Sequence, residues 1–283
     1  MFRSVLYVPG NVEKMIAKIS SLDSDCYAID LEDSVPGREK KTARELLRRV
    51  VPDVKKNTRG AIITRVNPLS SKECKDDVDA AMEVTDGILV PKIETVQDID
   101  KIVGMVPRKS KMIFVMIETA KGLSNVKEIC NSGKLSGVIF GSFDLAREMT
   151  FAFELDRSAV DFSRFMISLS ATSAGISAID GVYANYKDSS GFEEECKAVR
   201  KLGFSGKSLI HPSQIEIANR VFSPTDEEVR YARRVIDTMN QATKEGRASA
   251  SLDGSMIDIV HLRQAKKIVD LAKKFHPSAK LQN

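Results

Sequence analysis

One beat runs through most of this chain: a short apolar, often β-branched run, then a stretch with helical spacing and a polar face. The runs fall at residues 5–8, 26–31, 61–66, 87–90, 112–117, 137–140, 176–179 and 207–210. Each is too short for a helix and suits a strand buried on both faces. Between them, stretches such as 11–20, 40–50, 96–103, 158–173 and 192–202 place apolar residues three and four apart. Consecutive strand-helix units imply crossover connections and a parallel sheet. Eight of them predict an α/β protein, a (β/α)8 TIM barrel closing near residue 222. The open doubly wound sheet fits less well, because no Gly-x-Gly-x-x-Gly follows the first run and Pro9-Gly10-Asn11 is only a turn into a helix.

The expected domains are therefore a barrel over 1–222 and a C-terminal helical extension or lid over 223–283. In the extension, Ser223 or Thr225 is placed to cap a long polar helix reaching about Lys244. A small-residue stretch at 245–251 follows, then Asp253-Gly254 and a last helix from about His261 to Phe275. A helix beyond such a linker suggests a movable lid or an arm onto a neighbouring subunit.

Composition narrows the class. At 283 residues, 42% hydrophobic and 29% charged, the chain can bury a barrel-sized core. The net charge of +4 is mild, and bases alternate with acids, as at Arg44, Glu45, Arg48 and Arg49. No basic stripe for nucleic acid results, although a polyanion of the coenzyme A type remains compatible. The four cysteines show neither a CxxC pair nor zinc-ligand spacing and read as reduced thiols. No apolar run approaches the roughly 20 residues that span a bilayer, and the first residues are too briefly apolar for a signal peptide. The expectation is a cytoplasmic protein with no membrane partner.

In a parallel barrel, a charged residue just past a strand points into the ligand-binding mouth. Arg65, Glu118 and Asp144 all follow apolar runs. Glu118 and Asp144 are hard oxygen donors suited to magnesium, which keeps several waters and needs few protein ligands; the competing reading makes both of them helix caps. Arg65 offers a planar fork to a substrate carboxylate or, alternatively, an ion pair to the cluster containing Asp30, Glu32 and Asp33. Held by Glu32 or Asp33, it keeps donors for substrate, with those acids supporting the substrate site. Lys92 and Glu94 follow the fourth run; a Schiff base at Lys92 needs a depressed pKa and is disfavoured beside a metal site. His211 precedes Pro212 and suits either a base or a structural role. Asp258 alone reads as a helix cap before His261.

The ordered set Arg3-Ser4-Val5-Leu6-Tyr7-Val8-Pro9-Gly10, Asp30-Leu31-Glu32-Asp33-Ser34-Val35, Arg65-Val66-Asn67, Pro91-Lys92-Ile93-Glu94, Ile117-Glu118-Thr119, Phe143-Asp144-Leu145 and Gly203 through His211-Pro212 resembles the citrate lyase beta-subunit-like family. That family includes malyl-CoA, citramalyl-CoA and citryl-CoA lyases. The resemblance implies a magnesium-dependent barrel that makes or breaks a carbon–carbon bond between an acyl-CoA and a 2-oxo acid. It implies Glu118 and Asp144 as metal ligands and Arg65 as the residue that binds and polarises the oxo acid. Asp258 becomes an acid/base from a neighbouring subunit's lid, in a homo-oligomer, trimer or hexamer. Alternatives on the same fold are a beta subunit of a multi-subunit citrate lyase working on an acyl-carrier protein, and a malate synthase or thioesterase activity. The chain departs from the family pattern in the bulky stretch 147–154 and at Gly181-Val182-Tyr183, both on the active face. These departures bear on the acyl and oxo-acid partners more than on the reaction.

Overall fold

Each of the eight apolar runs forms a strand in the computed structural model, which describes residues 1–106, 111–150 and 156–275. In chain order they are β1 (Ser4–Pro9), β2 (Cys26–Asp30), β3 (Ala61–Arg65), β4 (Gly87–Val90), β5 (Met112–Ile117), β6 (Gly137–Phe140), β7 (Ser177–Asp180) and β8 (Gly206–Leu209). Sequential neighbours pair in parallel, and β1 returns to β8 through Ser4↔Lys207, Val5↔Ser208 and Leu6↔Leu209, closing the barrel. Alternation along the strands decides what fills it. Val5, Ala28, Ile63, Leu89, Phe114, Ile139 and Ile179 pack together inside, while the intervening residues meet the helices.

The surrounding helices are α1 (Glu13–Lys18), α2 (Lys40–Lys56), α3 (Cys74–Val84), α4 (Val96–Met105), α5 (Ala120–Ser124), α6 (Val126–Cys130), α7 (Ser142–Met149), α8 (Arg157–Ser173), α9 (Ser189–Lys201) and α10 (Ile215–Val221). α2 runs past the expected stop at residue 50 and contains Pro52. An interior proline costs about 3 kcal/mol. Val51 and Val54 are both buried in the outer core, and burying two valines returns roughly 3–6 kcal/mol, enough to carry the helix through.

The chain divides into two compact units, Met1–Phe222 and Ser223–Asn283. The second contains α11 (Asp226–Lys244), β9 (Ala250–Leu252), β10 (Ser255–Ile257) and α12 (Ile259–Phe275). Thr225, one of the two expected caps, opens α11 with a full capping box, accepting from the amide of Glu228. The small-residue stretch is not all linker: β9 and β10 form an antiparallel hairpin turned by Asp253 (φ 54°) and Gly254 (φ 81°). Two consecutive positive φ angles are what a tight hairpin turn requires, and Asp-Gly supplies them. Leu252 and Ile257 then pack with Val235, Met239 and Leu262 in a core of the unit's own.

Candidate active site at the C-terminal mouth of the barrel

Arg65 ends β3, beside Asp30 at the end of β2, with which it is in register. Its Nε and Nη2 donate to the two carboxylate oxygens of Asp30 at 2.7 and 2.8 Å, and Nη1 lies 3.2 Å from Glu32 Oε2 and 3.8 Å from Asp33 Oδ2. The guanidinium also lies over the ring of Tyr7, 4.9 Å from its centroid. Burial alone works against both charges of the Arg65–Asp30 pair. The fork geometry outweighs it, holding Asp30 below the usual carboxylate range and Arg65 above its ordinary value. Arg65 is thus a fixed cation, anchored chiefly by Asp30, where the sequence pointed to Glu32 or Asp33.

Glu118 follows β5, and Thr119, not Glu118, caps α5 by accepting from Gly122 N–H at 3.0 Å. The carboxylate of Glu118 instead accepts the amide of Lys92 at 2.9 Å. Lys92 reaches this position with φ 54°, a left-handed backbone that non-glycine residues seldom adopt. On the other side Glu118 lies against Gly141, where an added Cβ would sit 2.5 Å from Glu118 Cβ and 2.6 Å from Oε2. Glu118 is therefore clamped between a strained amide and a stretch of bare backbone. Burial, with Glu32 and Asp144 adding negative charge nearby, pushes its pKa up to about 8. Asp144, in the first turn of α7, makes no capping bond there and pairs with Arg147.

These groups share one cavity of about 480 Å³ at the mouth, whose lining includes Tyr7, Asp30, Asp33, Arg65, Met116, Glu118, Asp144 and Ser208. Two carboxylates at the ends of adjacent strands, one of them reluctant to ionise, form a donor set that a hard divalent cation suits. Among the described residues no group of three or more His, Cys, Asp or Glu is placed to hold a metal, so such an ion would draw its remaining ligands from substrate and water.

The other expected residues lie around this centre. Glu32 sits behind the guanidinium, outside the lining, with its pKa raised to about 7 chiefly by burial, and Lys92 Nζ lies 3.8 Å away. Glu94 pairs with Lys121 at 3.0 Å. His211 caps a short 3-10 turn through Ser213 and stacks on Tyr186 with centroids 4.6 Å apart, also outside the lining. Of the unusual stretch 147–154, residues 151–154 lie outside those described, whereas Val182 lines the cavity. Asp258 belongs to the second unit, where its carboxylate accepts from Val260 N–H at 2.9 Å and approaches His261 Nδ1 to 2.7 Å. The His261 contact holds it below the usual carboxylate range. Tyr7, Met116 and Ser208 escaped the sequence reading, which named Asp30 in the acidic cluster but not as the chief anchor. Counting inward positions by twos back from each strand end would have found them, since Tyr7 alternates with Val5 and Asp30 with Ala28.

A closed parallel barrel with its polar cavity at the C-terminal mouth is the architecture of the TIM-barrel enzymes, and within that class this chain belongs to the HpcH/HpaI aldolase/citrate lyase family, whose sequence model matches residues 3–212. A second model, described as a C–C bond lyase of the TIM-barrel fold, matches residues 170–276. The chain is 38% identical to a (3S)-malyl-CoA thioesterase of Cereibacter sphaeroides, over 96% of its own length and 95% of that protein. It is 32% identical to the mitochondrial citramalyl-CoA lyase of Rattus norvegicus, over 95% and 86%. Among solved structures it resembles protein CitE of Mycobacterium tuberculosis in complex with magnesium, acetoacetate and coenzyme A, with a TM-score of 0.77 and 25% identity over 95% of this chain and 97% of that one.

Proposed function

We propose that this protein is a magnesium-dependent lyase that cleaves, or forms, a short hydroxy-diacid acyl-CoA thioester of the malyl-, citramalyl- or citryl-CoA kind, exchanging it for an acyl-CoA and a 2-oxo acid. The observation that carries this reading is the Arg65 fork, fixed by Asp30, in one cavity with the carboxylates of Glu118 and Asp144. A relative named as a citramalyl-CoA lyase and a similar structure containing magnesium and coenzyme A support it.

Glu118 and Asp144 would hold the magnesium, which when bound supplies positive charge that polarises a substrate oxygen. Arg65 would offer the oxo-acid oxygen the Nη hydrogens that Asp30 does not take and, being already anchored, would need little reorganisation as charge builds there. Cleavage breaks the bond between the hydroxyl-bearing carbon and the thioester α-carbon. The hydroxyl gives up its proton to water and becomes the carbonyl, while the bond electrons pass to a thioester enolate that takes one proton at carbon, so that no proton is gained or lost overall. We assign that proton to Asp258 of a neighbouring subunit in a trimer or hexamer. In the condensation direction it removes the α-proton of the acyl-CoA; cleavage runs the same transfer backwards.

A second reading, thioester hydrolysis, is favoured by the name of the 38% identical relative. One assay separates the two. Each thioester is supplied with magnesium, and both the released oxo acid and the free thiol are followed. Oxo acid without free thiol, lost by about 10²-fold or more in Arg65→Ala and Glu118→Ala, is the lyase outcome. Free thiol without oxo acid would replace the lyase by a thioesterase. Turnover only of a carrier-protein thioester would move the substrate off coenzyme A. An Asp258→Asn variant with full activity would remove that residue from the mechanism.

A further inference from the structure

We infer that His261 is a positioning residue and proton partner for Asp258, reloading its carboxyl after each cleavage and unloading it after each condensation. The inference rests on the reading above that gives Asp258 the thioester α-proton, and adds a second residue to that step. Its first support is geometry. Asp258 precedes α12 and His261 lies in the first turn, which brings imidazole Nδ1 to 2.7 Å from Asp258 Oδ1. The same oxygen accepts the amides of Val260 at 2.9 Å and His261 at 3.3 Å. Three donors thus converge on Oδ1, and among the described residues none meets Oδ2, which is left open to a reacting carbon. Amide protons stay where they are; of the three, only the imidazole proton can move.

The ring also has a partner in either state. With Nδ1 protonated it donates to Oδ1; with Nδ1 bare it accepts the backbone N–H of Asp258, 3.3 Å away. The proton can therefore pass without the ring losing its hold on Asp258. The surroundings give the second support. Met256, Ile259 and Val260, which flank Asp258, are 68%, 50% and 62% exposed. An apolar collar of this kind sheds water when a neighbouring subunit covers it, and a carboxyl inside it then loses exchange with solvent. His261 is the titratable group that stays in contact with it. In cleavage, the Asp258 carboxyl gives its proton to the enolate carbon, and the His261 imidazolium passes its Nδ1 proton to the carboxylate. The ring regains a proton from water, into which the substrate hydroxyl has released one, so the count closes. Condensation runs each transfer in reverse.

The test is cleavage by the full-length protein, in magnesium, of the malyl-, citramalyl- or citryl-CoA thioester that wild type turns over, with and without added imidazole. His261→Ala is expected to lower kcat by about 10²-fold with KM changed by less than about twofold, and imidazole to restore about tenfold of the loss while leaving wild type unchanged. His261→Asn keeps an N–H donor but cannot carry a proton, and is expected to stay as slow as His261→Ala. Recovery in His261→Asn with no response of His261→Ala to imidazole overturns the inference, since a hydrogen bond alone would then suffice. Full activity in His261→Ala beside an inactive Asp258→Asn overturns it too, and leaves the Asp258 reading standing. Full activity in Asp258→Asn, or no turnover of any thioester by wild type, overturns that reading and the inference with it. Thermal unfolding checks each variant; should His261→Ala not fold, the kcat and imidazole response of His261→Asn decide.

Discussion

At the scale of single residues, Arg65 shows how a ligand-binding cation is stored before a ligand arrives. Its side chain is 13% exposed and that of Asp30 2%, so neither charge can fall back on water. Asp30→Ala removes both fork bonds and leaves the guanidinium to Glu32. The expected loss is about 3–5 kcal/mol in urea unfolding, the cost of breaking a buried pair; a change under about 1 kcal/mol would show that Glu32 and Asp33 suffice as anchors. The sequence announced the charge at position 65 because it follows an apolar run. It could not announce the anchor, since Asp30, Glu32 and Asp33 are equally acidic and only the β2–β3 register chooses between them. Nor could it show Lys92, whose strained backbone is set by the neighbouring strand ends. Because glycine adopts φ 54° freely, Lys92→Gly is expected to keep the amide on Glu118, whereas a β-branched Lys92→Val should cost roughly 1–2 kcal/mol more. Equal stability of the two variants would mean the left-handed turn relaxes when the side chain changes.

Between elements, β7 and β8 are joined to α8 and α9 by charge as well as by packing. Asp180, on β7, accepts from Arg164 Nε and Nη2 at 2.9 and 3.0 Å, while Lys207, on β8, contacts both Asp180 and Glu195; Asp180 and Lys207 are fully buried. Burial alone would raise the Asp180 pKa, but the charges of Lys207 and Arg164 pull it below its ordinary 3.8. The folded protein thus binds that proton less readily than the unfolded chain does. The contribution to stability is complete above about pH 3.8 and is lost as pH falls through the lower folded value. Acid titration of the unfolding free energy should therefore be shallower at its acid end in Asp180→Ala/Lys207→Met than in wild type. Asp180→Ala alone, which strands Lys207 and Arg164, should cost about 3–5 kcal/mol, and adding Lys207→Met should recover part of it. An unchanged acid limb in the double variant would place the titrating group elsewhere. The strand positions of Asp180 and Lys207 were legible within a residue or two; their pairing was not, because a charge inside an apolar run looks the same whether it faces the barrel or the helices.

For the whole molecule, topology was the most legible level, since eight doubly buried parallel strands have few ways to close and each announced itself by length and composition. The hairpin of the second unit was harder to see, because two three-residue strands carry too little pattern to separate them from a linker. Asp253-Gly254 between Leu252 and Ile257 was the available signal. If the mouth binds magnesium only when folded, magnesium at about 100 times its dissociation constant should stabilise the protein by about 2.7 kcal/mol, and chelation should reverse this along with turnover. Thermal transitions with and without chelator that coincide would argue against a metal held by the native barrel.

The pairing of β1 with β8 brings Ser4 beside Lys207, so the first strand made waits for the last. At ribosomal rates of 5–20 residues per second, that interval is roughly 10–40 seconds. Until it ends, β1 presents an unpaired edge, and Tyr7 and Ser208, two walls of one cavity, are at opposite ends of an unfinished polypeptide. This enzyme therefore acquires its site all at once and late, and its period of greatest exposure to misassociation falls in the nascent chain, before any substrate could bind to protect it.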